Sequence, residues 1–132
     1  MGSPCYCSSL RTAARKATAL YDARLAPAGL NIAQFALLRK IERAQSVSLT
    51  ELGRLAALDR STVGRNVKVL ERLRLVVTAE AEDQREAAVA LAPAGAEALR
   101  RAAPLWKGAQ DHIEGALGAD GANALRALAA RL

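Results

Sequence analysis

The sequence predicts a mostly α-helical fold with one short β-hairpin, formed by a single domain. At 132 residues the chain has room for one domain and little more. Alanine and leucine supply most of the 52% apolar fraction, whereas aromatic residues make up only 3%, and this balance favours helices over sheets. Small alanine side chains give a thin core, so we expect a homodimer that completes the burial of apolar surface between subunits.

The first two helices are indicated by the spacing of apolar residues and by the residues that break it. Apolar side chains recur every three or four positions in a first helix over about 8–26, which Pro27 ends. Asn31 and Gln34 have the spacing of a capping box, so we expect a second helix over about 32–44 to begin there.

Two further short helices follow, joined by a tight turn at 57–58. Ser48 and Glu51 have capping-box spacing for the third helix, and Asp59 is a good N-cap for a fourth over about 60–73. The positions expected to be buried are Leu49, Leu52, Leu55 and Ala56 in the third helix and Val63, Val67, Leu70 and Leu73 in the fourth. Two short capped helices joined in this way form a helix-turn-helix layout.

A β-hairpin and a long helical segment complete the chain. Residues 75–78 predict a strand and 87–91 its partner, and the charged loop between them makes this hairpin a wing. Pro93 is well placed to begin a helix over about 93–115, in which Pro104 should kink the axis. The remaining expected features are breaks at Gly115 and Gly118 and a last helix over about 119–132.

The charge distribution favours a polyanionic partner. The formal net charge is +6, and basic residues outnumber acidic ones within residues 1–75 but not in 76–132. The chain shows no apolar run of the roughly 18 to 20 residues that a membrane span needs, and no signal-peptide core at its start. We therefore expect a cytoplasmic protein without a membrane partner.

The fourth helix carries a polar face suited to reading double-stranded DNA. Arginine can bind guanine and asparagine can bind adenine with two hydrogen bonds each, while hydroxyls and lysine hold phosphates. The candidate DNA-binding residues are Arg60, Ser61, Thr62, Arg65, Asn66 and Lys68. The alternative is a solvated polar face, which the neighbouring capped helix and hairpin make less favourable.

These motifs, in this order, resemble the multiple antibiotic resistance regulator (MarR) family of winged helix-turn-helix regulators over nearly the whole chain. The most specific segments are Leu52-Gly53-Arg54-Leu55-Ala56, Asp59-Arg60-Ser61-Thr62-Val63 followed by Leu70-Glu71, and Asp83-Gln84-Arg85 leading to Leu91-Ala92-Pro93-Ala94-Gly95. The resemblance implies a DNA-binding transcriptional regulator, a repressor of genes with pseudo-palindromic operators, and dimers held by interlocking N- and C-terminal helices. It also implies that Arg85 enters the minor groove and that Asp83 orients it, although an acidic solvated loop is the alternative.

The expected organisation is one domain in three parts. Residues 1–30 form an N-terminal tail and dimerisation helix, 31–92 the winged helix-turn-helix region, and 93–132 the C-terminal dimerisation helices. Two positions depart from the family pattern. Arg74 stands where a glycine usually provides a left-handed turn, and Ala92 stands where a threonine usually caps the next helix.

Two sites are candidates for sensing an effector that releases DNA. Cys5 and Cys7 lie near the start of the first helix, where the helix dipole and Arg11 favour a thiolate. Oxidation would join subunits or stop at a sulfenic acid, because a disulfide between residues two apart is strained. The same thiols could instead bind a soft metal or metalloid, or have no function.

The second candidate site is a pocket between the first, second and fifth helices. Arg15 or Arg39 would pair there with the carboxylate of an aromatic acid, beside Phe35 or Trp106, although both aromatic residues are more commonly plain core. The single histidine, His112, argues against a histidine-rich zinc site and is expected at the surface or at an interface.

Catalysis is not indicated by the sequence. We find no phosphate-binding glycine loop, no zinc framework and no plausible catalytic triad, so we expect neither an enzyme nor a cofactor. The competing hypothesis is a winged-helix protein-interaction module whose basic face binds an acidic protein.

Overall fold

The structure is a computed structural model, which describes residues 2, 4–79 and 87–132. The elements are α1 (Tyr6–Leu25), a 3-10 turn (Ala26–Ala28), α2 (Ile32–Ala44), β1 (Val47–Ser48), α3 (Leu49–Ala56), α4 (Arg60–Arg72), β2 (Val76–Ala79), β3 (Ala88–Leu91) and α5 (Pro93–Arg131). The predicted mostly α-helical winged fold is confirmed. Helix boundaries agree with the prediction to within about two residues, apart from the long C-terminal segment.

The caps expected from the sequence begin α2, α3 and α4. Asn31 Oδ1 accepts a hydrogen bond from the Gln34 backbone N–H at 2.8 Å, and Gln34 Oε1 accepts one from the Asn31 backbone N–H at 3.0 Å. Ser48 Oγ accepts from the Glu51 backbone N–H at 3.1 Å. The Glu51 carboxylate pairs instead with Arg54, so only one of the two hydrogen bonds of the expected capping box forms at α3.

The described strands form an antiparallel sheet in the order β1-β3-β2. β2 and β3 are the predicted hairpin, with Val76 opposite Leu91. The sequence did not predict β1, in which Val47 pairs with Val89. A two-residue strand has no periodicity of its own, so only its pairing with β3 identifies it.

The core lies where α2, α3, α4 and the start of α5 pack together against the sheet. The largest fully buried side chains are Leu25, Leu38, Ile41, Leu52, Val63, Leu70 and Val89. Two predicted core positions are wrong, because Leu55 is 40% exposed and Leu73 is 50% exposed. Leu55 lies near the C-terminal end of α3 and Leu73 is the C-cap residue of α4, and at both places the described residues leave the side chain partly uncovered.

The first helix packs only through its C-terminal end. Leu25 is the one fully buried residue of α1, and the apolar side chains of Leu10, Ala13 and Ala14 nearer its start are exposed. Asp22 lies nearer that end, and its carboxylate accepts a hydrogen bond from the backbone N–H of Ile32 at 2.8 Å, which ties α1 to the first turn of α2.

The helix α5 begins at Pro93 as predicted and is broken once in its backbone angles, at Gly118 (φ 73°, ψ 169°). The expected break at Gly115 is wrong, because the helix continues through that residue and through Pro104. Glu114 and Arg126 form an exposed ion pair at 3.5 Å across the Gly118 break.

The connection from α4 to β2 is a left-handed turn centred on Arg74. Arg74 has φ +62°, its N–H donates to the Glu71 carbonyl at 2.9 Å, and the Leu75 N–H donates to the Leu70 carbonyl at 2.9 Å. This pair of bonds is a Schellman motif, in which glycine is usual at the left-handed position. The expected left-handed turn therefore forms with an arginine in place of glycine.

Close backbone packing fixes the hairpin to α5. The Ala92 N–H donates to the Leu75 carbonyl at 3.0 Å, and a Cβ placed on Gly95 would lie only 2.0 Å from that same carbonyl oxygen. Gly95 is thus required by the fold. Ala92 is the N-cap of α5 without a side-chain cap bond, as expected from the missing threonine.

Candidate nucleic-acid interface

The angle between α3 and α4 is set by a tight turn with close backbone contact. Ala57 adopts a left-handed conformation (φ 54°), and the Leu58 N–H donates to the Gly53 carbonyl at 2.9 Å. A Cβ on Gly53 would lie 3.1 Å from the Leu58 carbonyl oxygen, so a larger residue there would push the turn away. This turn fixes the orientation of α4, so that one side of the helix packs against the core and the other side is exposed.

The exposed side of α4 carries most of the predicted polar residues. Arg60, Ser61, Arg65 and Lys68 are exposed, whereas Val63, Val67 and Leu70 on the opposite side are buried. Arg72 is also exposed and follows Lys68 by four positions on the same face. Arg72 was not among the predicted DNA-binding residues, although its helical spacing from Arg65 and Lys68 places it on the same face.

A groove of about 560 Å³ separates α4 from the hairpin. Its helix side is lined by Arg60, Ser61, Gly64, Arg65, Lys68 and Glu71, and its hairpin side by Thr78, Ala79 and Ala87. The Thr78 hydroxyl donates a hydrogen bond to the Glu71 carboxylate and so links the C-terminal half of α4 to strand β2. The basic side chains of this groove therefore lie on α4, and the described hairpin residues that line its other side are uncharged.

The start of α4 contains a hydrogen-bonded chain of three side chains. Asp59 Oδ1 accepts from the Thr62 backbone N–H at 2.8 Å, and Asp59 Oδ2 accepts from the Thr62 hydroxyl at 3.0 Å. Arg65 Nη2 donates to the Thr62 hydroxyl oxygen at 3.3 Å. The hydrogen bonds from Thr62 and, to a smaller degree, the Arg65 charge lower the pKa of Asp59, which keeps this carboxylate ionised.

Asn66 lies apart from the other predicted DNA-binding residues of α4. It is half-buried and lines a separate cavity of about 200 Å³ with Asn31, Gln34 and Leu37, on the side of α4 that faces α2. The structure therefore does not bring Asn66 together with Ser61, Arg65 and Lys68. The predicted wing residues Asp83 and Arg85 lie outside the described residues.

Comparisons with known proteins place the chain in a family. Residues 28–86 match a family model described as the MarR family. The whole chain is similar to the Mycobacterium tuberculosis transcriptional regulator MosR, solved in complex with DNA, at 34% identity over 98% of this chain and 100% of that chain, with a TM-score of 0.79. The chain belongs to the MarR family.

Other solved structures agree with this assignment. A probable transcriptional regulator from Pseudomonas aeruginosa is 28% identical to this MarR-family protein over 92% of each chain, with a TM-score of 0.82. A mutant of Escherichia coli MarR, solved with operator DNA, is 22% identical over 94% of this chain and 90% of that chain, and its TM-score of 0.84 shows the same fold. No curated protein matches the chain in sequence. The family and these neighbours are transcriptional regulators.

Both cysteines of this MarR-family chain are exposed thiols at the start of α1. Cys5 is the N-cap residue, and its carbonyl accepts a hydrogen bond from the Ser9 N–H at 3.0 Å. Hydrogen bonds from the backbone and then the side chain of Ser8, followed by the Cys7 backbone, lower the pKa of Cys5 below its ordinary value. The described residues contain no group of three or more His, Cys, Asp and Glu side chains placed to hold a metal ion.

A cavity lies between α2 and α5, near the place of the expected aromatic pocket, but the described residues that line it include none from α1. The Phe35 and Trp106 rings stack with centroids 5.8 Å apart, and the Arg39 guanidinium lies 4.6 Å from the Trp106 ring centroid. These residues line a cavity of about 130 Å³ together with Ile32, Ala36, Lys40 and Arg43. Arg15 is not part of it, since it lies exposed on α1 with a hydrogen bond to Thr12 at 3.1 Å.

Two further expectations concern the surface. His112 is exposed on α5, with its Nδ1 3.5 Å from an Arg24 guanidinium nitrogen of α1. In the part of the chain that the structure describes, every helix is too short or too polar to cross a membrane.

Proposed function

We propose that the protein is a sequence-specific, double-stranded-DNA-binding transcriptional regulator that represses its target genes in the cytoplasm and is not an enzyme. The observation that carries this proposal is the exposed face of α4, where arginine, lysine and hydroxyl side chains stand beside the hairpin over one continuous groove. Such a helix fits the major groove, and its cations neutralise phosphates.

The side chains of this face divide into two roles. Arg65 lies near the middle of the exposed face, where a guanidinium can read the guanine edge. Arg60, Lys68 and Arg72 lie around it and suit phosphate contacts, which position the helix without carrying sequence information. Arg85 of the wing, oriented by Asp83, is proposed to enter the adjacent minor groove.

A homodimer accounts for the apolar surface that the single chain leaves exposed. The N-terminal half of α1 and the last part of the chain, from just before the Gly118 break, expose apolar residues, among them Leu10, Leu117, Leu125 and Leu132. A second copy would cover both faces and place two α4 helices on successive major-groove half-sites. The regions 1–30 and 93–132 would then serve dimerisation, and 31–92 DNA binding.

The proposal is tested by measuring affinity for duplexes from the region upstream of the protein's own gene as a function of salt. Phosphate neutralisation predicts a steep fall of log affinity with log salt. Arg65→Ala should weaken binding to the preferred duplex about tenfold or more and reduce discrimination against a scrambled duplex. Arg100→Ala is the control, since Arg100 is an exposed arginine on α5 that pairs with Glu97.

Two outcomes would contradict the proposal. Failure to bind any duplex at low salt would favour the protein-interaction module, in which the same basic face binds an acidic partner. Equal affinities of the Arg65→Ala variant and the wild type would remove α4 as the reading helix.

We further propose that thiol chemistry at Cys5 and Cys7 releases the DNA. The lowered pKa and exposure of Cys5 support it, because a thiolate attacks the peroxide oxygen to form a sulfenic acid while the alkoxide or hydroxide leaves. Cys5 should also alkylate faster than Cys7 at about neutral pH, which a pH series on Cys5→Ser and Cys7→Ser variants measures. Peroxide that leaves DNA binding unchanged would remove the thiols as a sensor, and a trivalent metalloid tests the alternative ligand role.

A small-molecule effector is the second candidate. The Arg39 guanidinium beside the Trp106 ring favours a planar aromatic carboxylate, which could pair with Arg39 or with Lys40 and stack on the indole. Arg39→Met should then abolish release by such a compound and leave basal DNA affinity unchanged. If the variant is still released, this pocket is not the effector site.

A further inference from the structure

We propose that Asp59 is a specificity-determining residue that acts through Thr62 to hold Arg65 in its reading position. The inference rests on the proposed function, since it concerns how α4 reads DNA. In the sequence Asp59 appears only as an N-cap, and Thr62 as one more contact to DNA.

The hydrogen bonds that connect Asp59, Thr62 and Arg65 have a fixed direction. The Asp59 carboxylate can only accept, so the single hydroxyl proton of Thr62 points at Asp59 Oδ2, 3.0 Å away. The Thr62 oxygen is then left to accept from Arg65 Nη2 at 3.3 Å. A carboxylate at the start of the helix thus sets which way the Arg65 guanidinium is turned.

This hydrogen-bond relay, from Arg65 through the Thr62 hydroxyl to Asp59, leaves most of the Arg65 guanidinium available for DNA. Arginine has five N–H donors, and the relay uses one of them. Arg54 shows the contrast, because its Nε and Nη2 both donate directly to Glu51, at 2.9 and 2.5 Å. A direct ion pair with a carboxylate uses two N–H donors of the arginine. A relay through a hydroxyl orients the guanidinium but leaves its other N–H donors free to bind a base.

Orientation of an exposed arginine favours specific over non-specific binding. An unrestrained arginine loses rotamer freedom when it binds a base, and it can equally reach nearby phosphates. An arginine already held at one angle loses less freedom on the matching base and fits other sequences poorly.

The charge of Asp59 acts in the same direction. The carboxylate is exposed at the start of α4, and the hydrogen bonds from Thr62 keep it ionised at neutral pH. A negative charge there repels phosphates that approach without the compensating base contact of Arg65. Asp59 should therefore lower non-specific affinity more than operator affinity.

The experiment measures affinity for the operator duplex and for a scrambled duplex of equal length at one salt concentration, together with the melting temperature. Thr62→Val keeps the shape of the side chain, the Asp59 charge and the backbone cap, but removes the hydroxyl relay. The ratio of the two affinities should fall about three- to tenfold, and Thr62→Ser should restore it.

Asp59→Asn keeps the backbone cap, because asparagine caps helices as well as aspartate does, but it removes both the charge and the oxygen that accepts from the Thr62 hydroxyl. It should raise affinity for the scrambled duplex several-fold and lower the ratio while the melting temperature stays close to that of the wild type. In an Arg65→Ala background, Thr62→Val should leave the ratio unchanged, because its effect passes through Arg65.

A purely structural cap would give a different pattern. In that case the substitutions would lower the melting temperature and weaken binding to both duplexes equally. Thr62→Val would also have the same effect with and without Arg65. Either result overturns the inference. A wild-type protein that does not distinguish operator from scrambled duplex would instead contradict the proposed function itself.

Discussion

Arg74 shows how one residue can occupy a conformation that its side chain disfavours. Its φ of +62° completes the Schellman motif after α4, where both turn hydrogen bonds are 2.9 Å long. A left-handed conformation costs a residue with a Cβ about 1–2 kcal/mol, which glycine does not lose. The exposed arginine is tolerated because the two backbone bonds and the burial of Val76 after the turn hold it there.

Arg74→Gly should raise the free energy of unfolding by about 0.5–1 kcal/mol, which is less than the full strain because glycine also gains entropy in the unfolded chain. Urea unfolding measures the change. Arg72→Gly is the matched control, since Arg72 is helical and the same substitution should destabilise there by about 1 kcal/mol. A destabilised Arg74→Gly variant would show that the arginine side chain contributes to the turn.

Two glycines in the helices differ in whether the fold requires them. Gly95 lies in the first turn of α5 against the Leu75 carbonyl, where a Cβ would meet the backbone oxygen at 2.0 Å. Gly64 lies within α4 on the groove, and a Cβ there would meet no atom within 4 Å. The first glycine is required by packing between elements, and the second is not required by the fold.

Gly64→Ala should therefore stabilise the protein by about 0.5–1 kcal/mol through helix propensity, and Gly95→Ala should destabilise it by about 2 kcal/mol or more through the clash. Thermal unfolding of the two variants measures both. We expect the more stable Gly64→Ala protein to bind operator DNA more weakly, because its new methyl group lies on the surface that meets the duplex. Stabilisation together with full DNA affinity would show that the helix axis does not approach DNA at Gly64.

For the whole molecule, the exposed apolar residues point to the assembly of two chains. Leu125, in the last part of α5, is 51% exposed in the single chain. Such a surface at both ends of the chain is costly in water and is covered if two copies exchange these helices.

Leu125→Glu should weaken the dimer about tenfold or more, which sedimentation equilibrium measures, and it should lower operator affinity because two half-sites then bind independently. Val77→Glu is the control for the dimer measurement alone, since Val77 is 55% exposed but lies on the hairpin, within the region proposed to bind DNA. An unchanged dimer in the Leu125→Glu variant, or equal weakening by both substitutions, would contradict the proposed interface.

The accuracy of the sequence predictions differed between local and long-range features. The caps at Asn31, Ser48 and Asp59 were predicted correctly, because each depends on a hydrogen bond between residues three apart. Leu55 and Leu73 were wrong, because burial depends on which neighbour covers a residue. The exposure of Arg65 and Lys68 followed from periodicity, whereas the half-burial of Asn66 against α2 depended on how two helices pack.

The sequence by itself determined the order of the helices, the helix-turn-helix and the polar face of α4, because capping, breaking and periodicity act over a few neighbouring residues. Only the tertiary structure decided the pairing of β1 with β3, the stacking of Arg39 on Trp106, and the groove between α4 and the hairpin. Each of these joins residues far apart in the chain, so its geometry exists only once the core has packed.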